Sequence, residues 1–533
     1  MRIQSIDKSV SAALLVYGTT FANAALYNQT IRTRYGEIQG YPAFNSTPLG
    51  NLTNWEDVAV WKGIPYAAST SGSNRWRAPQ PVVAWNSTLD ASTFGPICAG
   101  TKSVSFPGAA VEASSEDCLS LNIWSSAKSA DSKLPVVMWS TPAESTASDA
   151  LFDGGGMATK DVVFVNYNYR TNSIGWMAHP ELSAERFAEI GYNSSGNYGM
   201  LDQFAAVKWI RENIAAFGGD PEHITVMGQS AGSAATYHIM NSELTKGLIV
   251  GAIIESGVRA PKDPLSTSLA ENYVTLADSL ANGVSFLNSL NVSTIEQARA
   301  LPVADILTSF QNTEYAFTAT LDYYAMPGTY EETLTKGAAN DVPVITGNTK
   351  DESGAVYAQN ITAAAYRSTL NSTYSSEWVE RFFDAYPAND STAGMAENAM
   401  WTDRSKIGTW IWAQMHHNAS KKPVYSYIWD HAPPGQSQGA YHESEINYVL
   451  NNLYDTTSTP WAAADYSIAH TMNQYWVNFI KTGDPNGKGL VDWPATNARQ
   501  DVQRLGDAFE RVSVASEAQI RLVESWFNTL VSY

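Results

Sequence analysis

Residues 227–233 read M-G-Q-S-A-G-S, a serine with a glycine two places before it and another two places after. With 36 glycines in the chain, such a pattern arises by chance in roughly one sequence in four, so its surroundings decide what it means. The apolar run H-I-T-V-M leads straight into Gly228, and A-G-S-A-A-T-Y-H-I-M after Ser230 reads as a helix. Strand, sharp turn and helix are what a nucleophile elbow requires. The flanking glycines let strand and helix approach without side-chain clash while the serine is held in a strained conformation. Its hydroxyl then sits at a helix amino terminus, where the partial positive charge favours a developing oxyanion. Such a serine attacks a carbonyl carbon only when a base takes its proton.

The elements that must position this serine recur as strand followed by helix. Apolar, β-branched runs at Leu134–Trp139, Val162–Val165, Ile224–Met227, Val342–Thr346 and Val424–Trp429 end in turn-forming or polar residues and read as buried parallel strands. The clearest helical pattern runs from Leu201 to Phe217, with Phe204, Val207, Ile210 and Ile214 on one face and Gly218-Gly219 as its stop. This alternation predicts an α/β doubly wound sheet. No internal repeat, low-complexity tract or linker interrupts it.

At 533 residues, 44% of them hydrophobic and with 17 Trp and 27 Tyr, the chain has material for a large buried core. A net charge of -19 and a pI near 4.8 argue against a nucleic-acid or anionic-membrane partner, which would need basic patches. The amino terminus has an apolar stretch around Ala12–Val16 and reaches Phe21-Ala22-Asn23-Ala24, the small-x-small pattern of a leader cleaved after Ala24. Residues 1–24 are therefore expected to be a signal peptide and 25–533 a single domain, secreted or in the lumen of the secretory pathway. No later stretch reaches the roughly 18 to 20 apolar residues of a membrane span. N-x-S/T sequons at Asn28, Asn45, Asn51, Asn86, Asn193, Asn291, Asn360, Asn371, Asn389 and Asn418 agree with that compartment. So does the pair Cys98 and Cys118, which closes a short loop as a disulfide in an oxidising environment; two buried free thiols are the alternative.

Longer stretches carry a resemblance. F-G-G-D-P-E-H-I-T-V-M-G-Q-S-A-G-S (Phe217 to Ser233), E-D-C-L-S-L-N-I (Glu116 to Ile123), K-G-I-P-Y-A (Lys62 to Ala67), N-Y-R (Asn168 to Arg170) and S-G-N-Y-G-M-L-D-Q (Ser195 to Gln203) make the chain resemble the type-B carboxylesterases, the carboxylesterase, cholinesterase and lipase family of α/β-hydrolases. The likeness runs over nearly the whole chain after the leader. It implies an α/β-hydrolase fold, a large mostly parallel central sheet with helices on both faces, and a triad in the order serine, acid, histidine. The acid falls on Glu352 in G-N-T-K-D-E-S-G, ahead of its neighbour Asp351, and the base on His442 in G-A-Y-H-E-S-E-I-N-Y-V. The resemblance then implies that His442 deprotonates Ser230, Glu352 steadies the imidazolium and water hydrolyses the acyl-enzyme, with no cofactor or metal.

The chain also departs from the family pattern. Where the family reads His-Gly-Gly-Gly after its strand, this sequence has Thr141-Pro142-Ala143-Glu144. Pro142 has no N–H, so the oxyanion hole expected here is built from Ala143, Glu144 and Ala231. Gly154-Gly155-Gly156 comes too late to replace the lost glycines and reads as a turn. Gln229 stands where Glu usually precedes the nucleophile, and Glu443 where Gly usually follows the base; the Glu443 carboxylate either raises the pKa of His442 or turns to solvent. The Cys98–Cys118 loop has no Trp for a quaternary ammonium, which argues against choline esters. The expected function is hydrolysis of neutral carboxylic esters or lactones, of small-molecule or lipid type. Acyl transfer or lactone formation by the same triad is the alternative, and a non-catalytic binding protein ranks last because all three triad residues are present.

Overall fold

The computed structural model describes residues 25–101, 113–268, 272–315, 317–496 and 500–533. The expected leader and the interior of the Cys98–Cys118 loop, 102–112, lie outside them. An 11-stranded sheet forms the centre. In chain order its strands are β1 (Tyr41–Pro42), β2 (Ala59–Pro65), β3 (Ser120–Ser125), β4 (Leu134–Ser140), β5 (Val163–Tyr167), β6 (Gly219–Gln229), β7 (Gly251–Glu255), β8 (Val344–Thr349), β9 (Val424–Trp429), β10 (Asp501–Leu505) and β11 (Glu510–Ser513). They lie side by side as β11-β10-β9-β8-β7-β6-β4-β5-β3-β2-β1. Pairings from β10 to β5 are parallel, and those outside them, at both edges, are antiparallel.

The parallel strands β5, β7, β8 and β9 are buried along their length, as strands covered on both faces must be. Successive side chains point to opposite faces, and β4 shows the result. Val136 and Met138 join one hydrophobic core, while Val137 and Trp139 join another. All five strands expected from apolar runs form. The helix expected over 201–217 is α1 (Tyr198–Asn213), tightened into a 3-10 turn at Ile214–Phe217 and stopped by Gly218 at φ 80°. Gly155 and Gly156, expected in a turn, instead open a short buried helix, Gly155–Ala158.

Chain order reverses between β4 and β6. After β4 the chain runs to β5 on one side, then crosses to β6 on the other. Ligands in open α/β sheets bind beyond the carboxyl ends of strands at such a point. There β4 delivers Thr141–Glu144, β6 delivers Ser230, and β8 delivers the loop holding Glu352.

Candidate active site

Ser230 joins β6 to α2 (Ala231–Asn241) with φ 56° and ψ -119°, a left-handed conformation that costs a residue with a Cβ roughly 1 to 3 kcal/mol. Its neighbours hold it there. The Ser230 N–H donates to the Glu255 carbonyl at 3.0 Å, and its own carbonyl accepts from the Ser233 N–H at 2.9 Å. A Cβ on Gly228 would lie 2.2 Å from the Gly232 carbonyl oxygen, and one on Gly232 would lie 1.9 Å from that of Ser140. Both glycines are thus required by the approach of β6, α2 and β4, the reason their spacing suggested.

Glu352 and His442 meet although 90 positions separate them, with Nδ1–H of the imidazole donating to Oε2 at 2.6 Å. The other carboxylate oxygen accepts from the Thr349 N–H at 3.1 Å. Burial works to raise the Glu352 pKa, but the hydrogen bond and charge of His442, with Arg259 behind, hold it below the ordinary carboxylate value. Burial likewise works to lower His442, and is outweighed by the bond to and charge of Glu352, with Glu445 and Glu443 adding, so that its pKa rises to about 9. Asp351 has a different task. It accepts from the Ala440 N–H at 2.8 Å and from Asn398 at 2.7 Å, clamping the loop before His442 against the loop of Glu352. Of the other downstream histidines, His416 stacks on Trp412 and His431 bridges Asp465 and Asp507.

Among the described residues no hydrogen bond joins Ser230 Oγ to the imidazole. Instead the Gln229 amide nitrogen lies 3.3 Å from both ring nitrogens. Hydrogen bonds of this kind are often loose until substrate tightens them.

Two acids that the sequence reading did not single out lie beneath this pair. Glu255 and Glu445 are both fully buried. The Trp476 indole donates to Glu255 at 2.7 Å, while the other Glu255 oxygen, both oxygens of Glu445 and the Gln229 amide oxygen have no partner. Burial raises the Glu255 pKa to about 8 against the weaker effect of the Trp476 bond. Burial followed by the charges of Glu255 and Glu352 drives Glu445 further up. Like acids in one dry site cannot both ionise, so at most one of the two carries a charge. The carboxyl missing at position 229 reappears on the adjacent strand, a relation visible only once β6 and β7 pair. Glu443 sits at φ 80°, a glycine-like conformation at the position where the family pattern has glycine.

Ala143, Glu144, Ser230 and Ala231 line one cavity of about 580 Å³. Pro142 is buried behind them, whereas Ala143 and Glu144 face outward, Glu144 at φ 59°. The backbone N–H groups of Ala143 and Ala231 donate to no acceptor among the described residues. Gly156 packs against the carbonyls of Leu450 and Asn451, away from this cavity. Cys98 and Cys118 are joined as a disulfide. Among the described residues, no group of His, Cys, Asp or Glu is placed to hold a metal ion.

Residues 27–519 match the model of the Carboxylesterase family. The chain belongs to that family. Fumonisin B1 esterase of Sphingopyxis macrogoltabida is 32% identical over 470 residues, covering 84% of each protein. Para-nitrobenzyl esterase of Bacillus subtilis is 29% identical over 498 residues, 88% of this chain and 92% of that one. A solved structure of PNB esterase superposes with TM-score 0.73 at 27% identity, over 93% of this chain and 99% of the other. As a carboxylesterase with an α/β-hydrolase fold, the protein is a serine-dependent carboxylic ester hydrolase. No helix among the described residues of this carboxylesterase is long and apolar enough to cross a membrane.

Proposed function

We propose that this carboxylesterase hydrolyses neutral carboxylic esters outside the cytosol, through an acyl-enzyme on Ser230. The reading rests foremost on a strained serine at the wall of a cavity, with a buried carboxylate and an imidazole joined at 2.6 Å on the neighbouring loops. His442 takes the serine proton through Nε2, Glu352 fixes the tautomer and steadies the imidazolium, and backbone N–H groups of Ala143, Glu144 and Ala231 receive the oxyanion. Relatives named for fumonisin B1 and para-nitrobenzyl esters support the class of bond rather than one substrate. Secretion and glycosylation are supported by the disulfide, by the leader pattern and by the ten sequon asparagines, every one of which is exposed.

The test is mass-spectrometric mapping of a fluorophosphonate adduct, alongside turnover of p-nitrophenyl acyl esters. Labelling at Ser230 with turnover supports hydrolysis. Labelling without turnover, and ester products only when an alcohol is added, would replace it with acyl transfer. No label at Ser230 overturns both.

The oxyanion loop gives a sharper expectation. In this carboxylesterase Pro142 occupies the place of the family's first glycine, while the two cavity-lining positions keep their N–H groups. Pro142→Gly should therefore change kcat by no more than about threefold, whereas Ala143→Pro, which deletes a donor, should lower it about 100- to 1000-fold. Steady-state kinetics on p-nitrophenyl acetate separates the two. A large gain from Pro142→Gly would mean that the loop is misformed.

The pH profile follows from His442. Because the base works only unprotonated and its pKa is about 9, kcat/KM should climb through neutral pH and level off above about 9. The raised pKa of His442 also contributes stability that is fully present below the ordinary histidine value of 6.5 and is lost as pH rises through about 9. Glu443→Gly should move the midpoint down by a fraction of a unit and raise stability by about 1 kcal/mol, because glycine accepts φ 80° without strain. A midpoint that stays in place would remove Glu443 from the electrostatics of the base.

A further inference from the structure

The cavity beside Ser230 continues along one face of α2. Ala231, Ala234, Ala235 and His238 all line it, the i, i+3, i+4, i+7 spacing of a single helix stripe. Three alanines keep that wall low, and the seven-residue separation carries the cavity about 10 Å from the nucleophile at 1.5 Å per residue. An extended chain of about eight bonds covers that distance at roughly 1.2 Å per bond. Apolar side chains on the rest of the lining include Leu307 and Phe310 of α3 (Val303–Gln311) and Phe317.

Thr101, Thr171, Asn172, Asn272, Gln311 and Thr318 also line the cavity as part-exposed or exposed polar residues. Gln203 and His238 differ from them in being buried. His238 is 4% exposed and Gln203 of α1 is 2% exposed. Neither side chain makes a hydrogen bond among the described residues, and the Gln203 amide oxygen is buried without a partner. Buried polar groups are normally paired, since leaving one unpaired costs about 1 to 3 kcal/mol. Here both border open space shared with the nucleophile, so a guest can satisfy them. Charge narrows the guest further. No Lys or Arg lines the cavity among the described residues, and burial lowers the His238 pKa to about 4, leaving the ring neutral. An anionic arm would therefore meet no cation, and a cationic one no anion at that end.

We infer that the cavity takes one arm of the ester as an uncharged chain of about eight bonds ending in a hydroxyl or similar donor–acceptor group, which pairs with Gln203 and His238. This rests on the ester-hydrolase reading above and names its substrate class. A neutral imidazole offers one donor and one acceptor, and the carboxamide offers both, so a hydroxyl suits the pair where a methyl end would leave both unpaired.

The experiment measures binding by titration calorimetry to Ser230→Ala protein, so that it does not depend on turnover. Methyl ω-hydroxyoctanoate is compared with methyl octanoate, and ω-hydroxyoctyl acetate with octyl acetate, which tests the acyl and alcohol sides separately. The hydroxylated ester is expected to bind about tenfold more tightly in one of the two series. Adding Gln203→Leu or His238→Leu should reduce that preference to about twofold or less while plain-chain binding is kept or strengthened. The two substitutions lie on different helices, so misfolding of one leaves the other to decide. Equal or weaker binding of the hydroxylated ester in both series overturns the inference, as does a preference that survives both substitutions. Wild-type turnover of p-nitrophenyl acetate is scored in parallel. Turnover without the preference sinks this inference alone, and the preference without turnover sinks the hydrolase reading alone.

Discussion

Ser230→Ala should lower kcat by on the order of a million-fold, with KM for short esters little changed, because it removes the nucleophile and leaves the cavity intact. The remaining rate would come from the oxyanion donors and from binding. A companion variant separates chemistry from strain. Ser230 is held at φ 56° by the packing of Gly228 and Gly232 against neighbouring backbone, so Ser230→Gly should be equally inactive yet more stable by about 1 kcal/mol, read from chemical denaturation. Alanine keeps the Cβ and gains nothing. If Ser230→Ala retained more than about a hundredth of the wild-type kcat, attack by this hydroxyl would be excluded as the main route.

Glu352→Gln should lower kcat about 10,000-fold while fluorophosphonate still reaches Ser230 slowly, since an amide cannot stabilise the imidazolium or hold Nδ1–H in place. The pH profile supplies a second readout. Loss of the Glu352 hydrogen bond and charge removes the two largest influences that raise His442, so the midpoint should fall from about 9 toward or below the ordinary histidine value. Asp351→Asn on the same loop is the control. Its carboxylate bonds Ala440 and Asn398 rather than the imidazole, so it should cost at most about tenfold and leave the midpoint in place. If Asp351→Asn shifted the midpoint and Glu352→Gln did not, the two acids would have to exchange roles.

Local pattern determined a good deal of this protein. Alternation of apolar runs with helical stripes was enough for the doubly wound sheet, because a strand buried on both faces must be apolar throughout and β-branched side chains fill such a position well. The elbow at Ser230 was legible because its constraint is steric and local, two glycines where two elements touch. The edge strands β1 and β11, and β10 beside β11, were not legible, being short or part-exposed and lacking a run long enough to register.

Only the tertiary structure decided the rest, since it depends on which residues become neighbours. Glu352 was separated from Asp351 by resemblance alone in the sequence, whereas the folded chain gives each its own partner. The Gly154–Gly156 run became the start of a buried helix because Leu450 and Asn451, some 300 positions away, close over it. Glu255, which no local pattern singles out, became half of a buried acid pair when β7 joined β6. The same holds for Gln203 and His238, whose want of partners is a property of the space between α1 and α2. A sequence fixes what each residue offers over a turn or a strand; pairing, burial and charge coupling reach across hundreds of positions, and those interactions set the pKa of the base and the shape of the cavity.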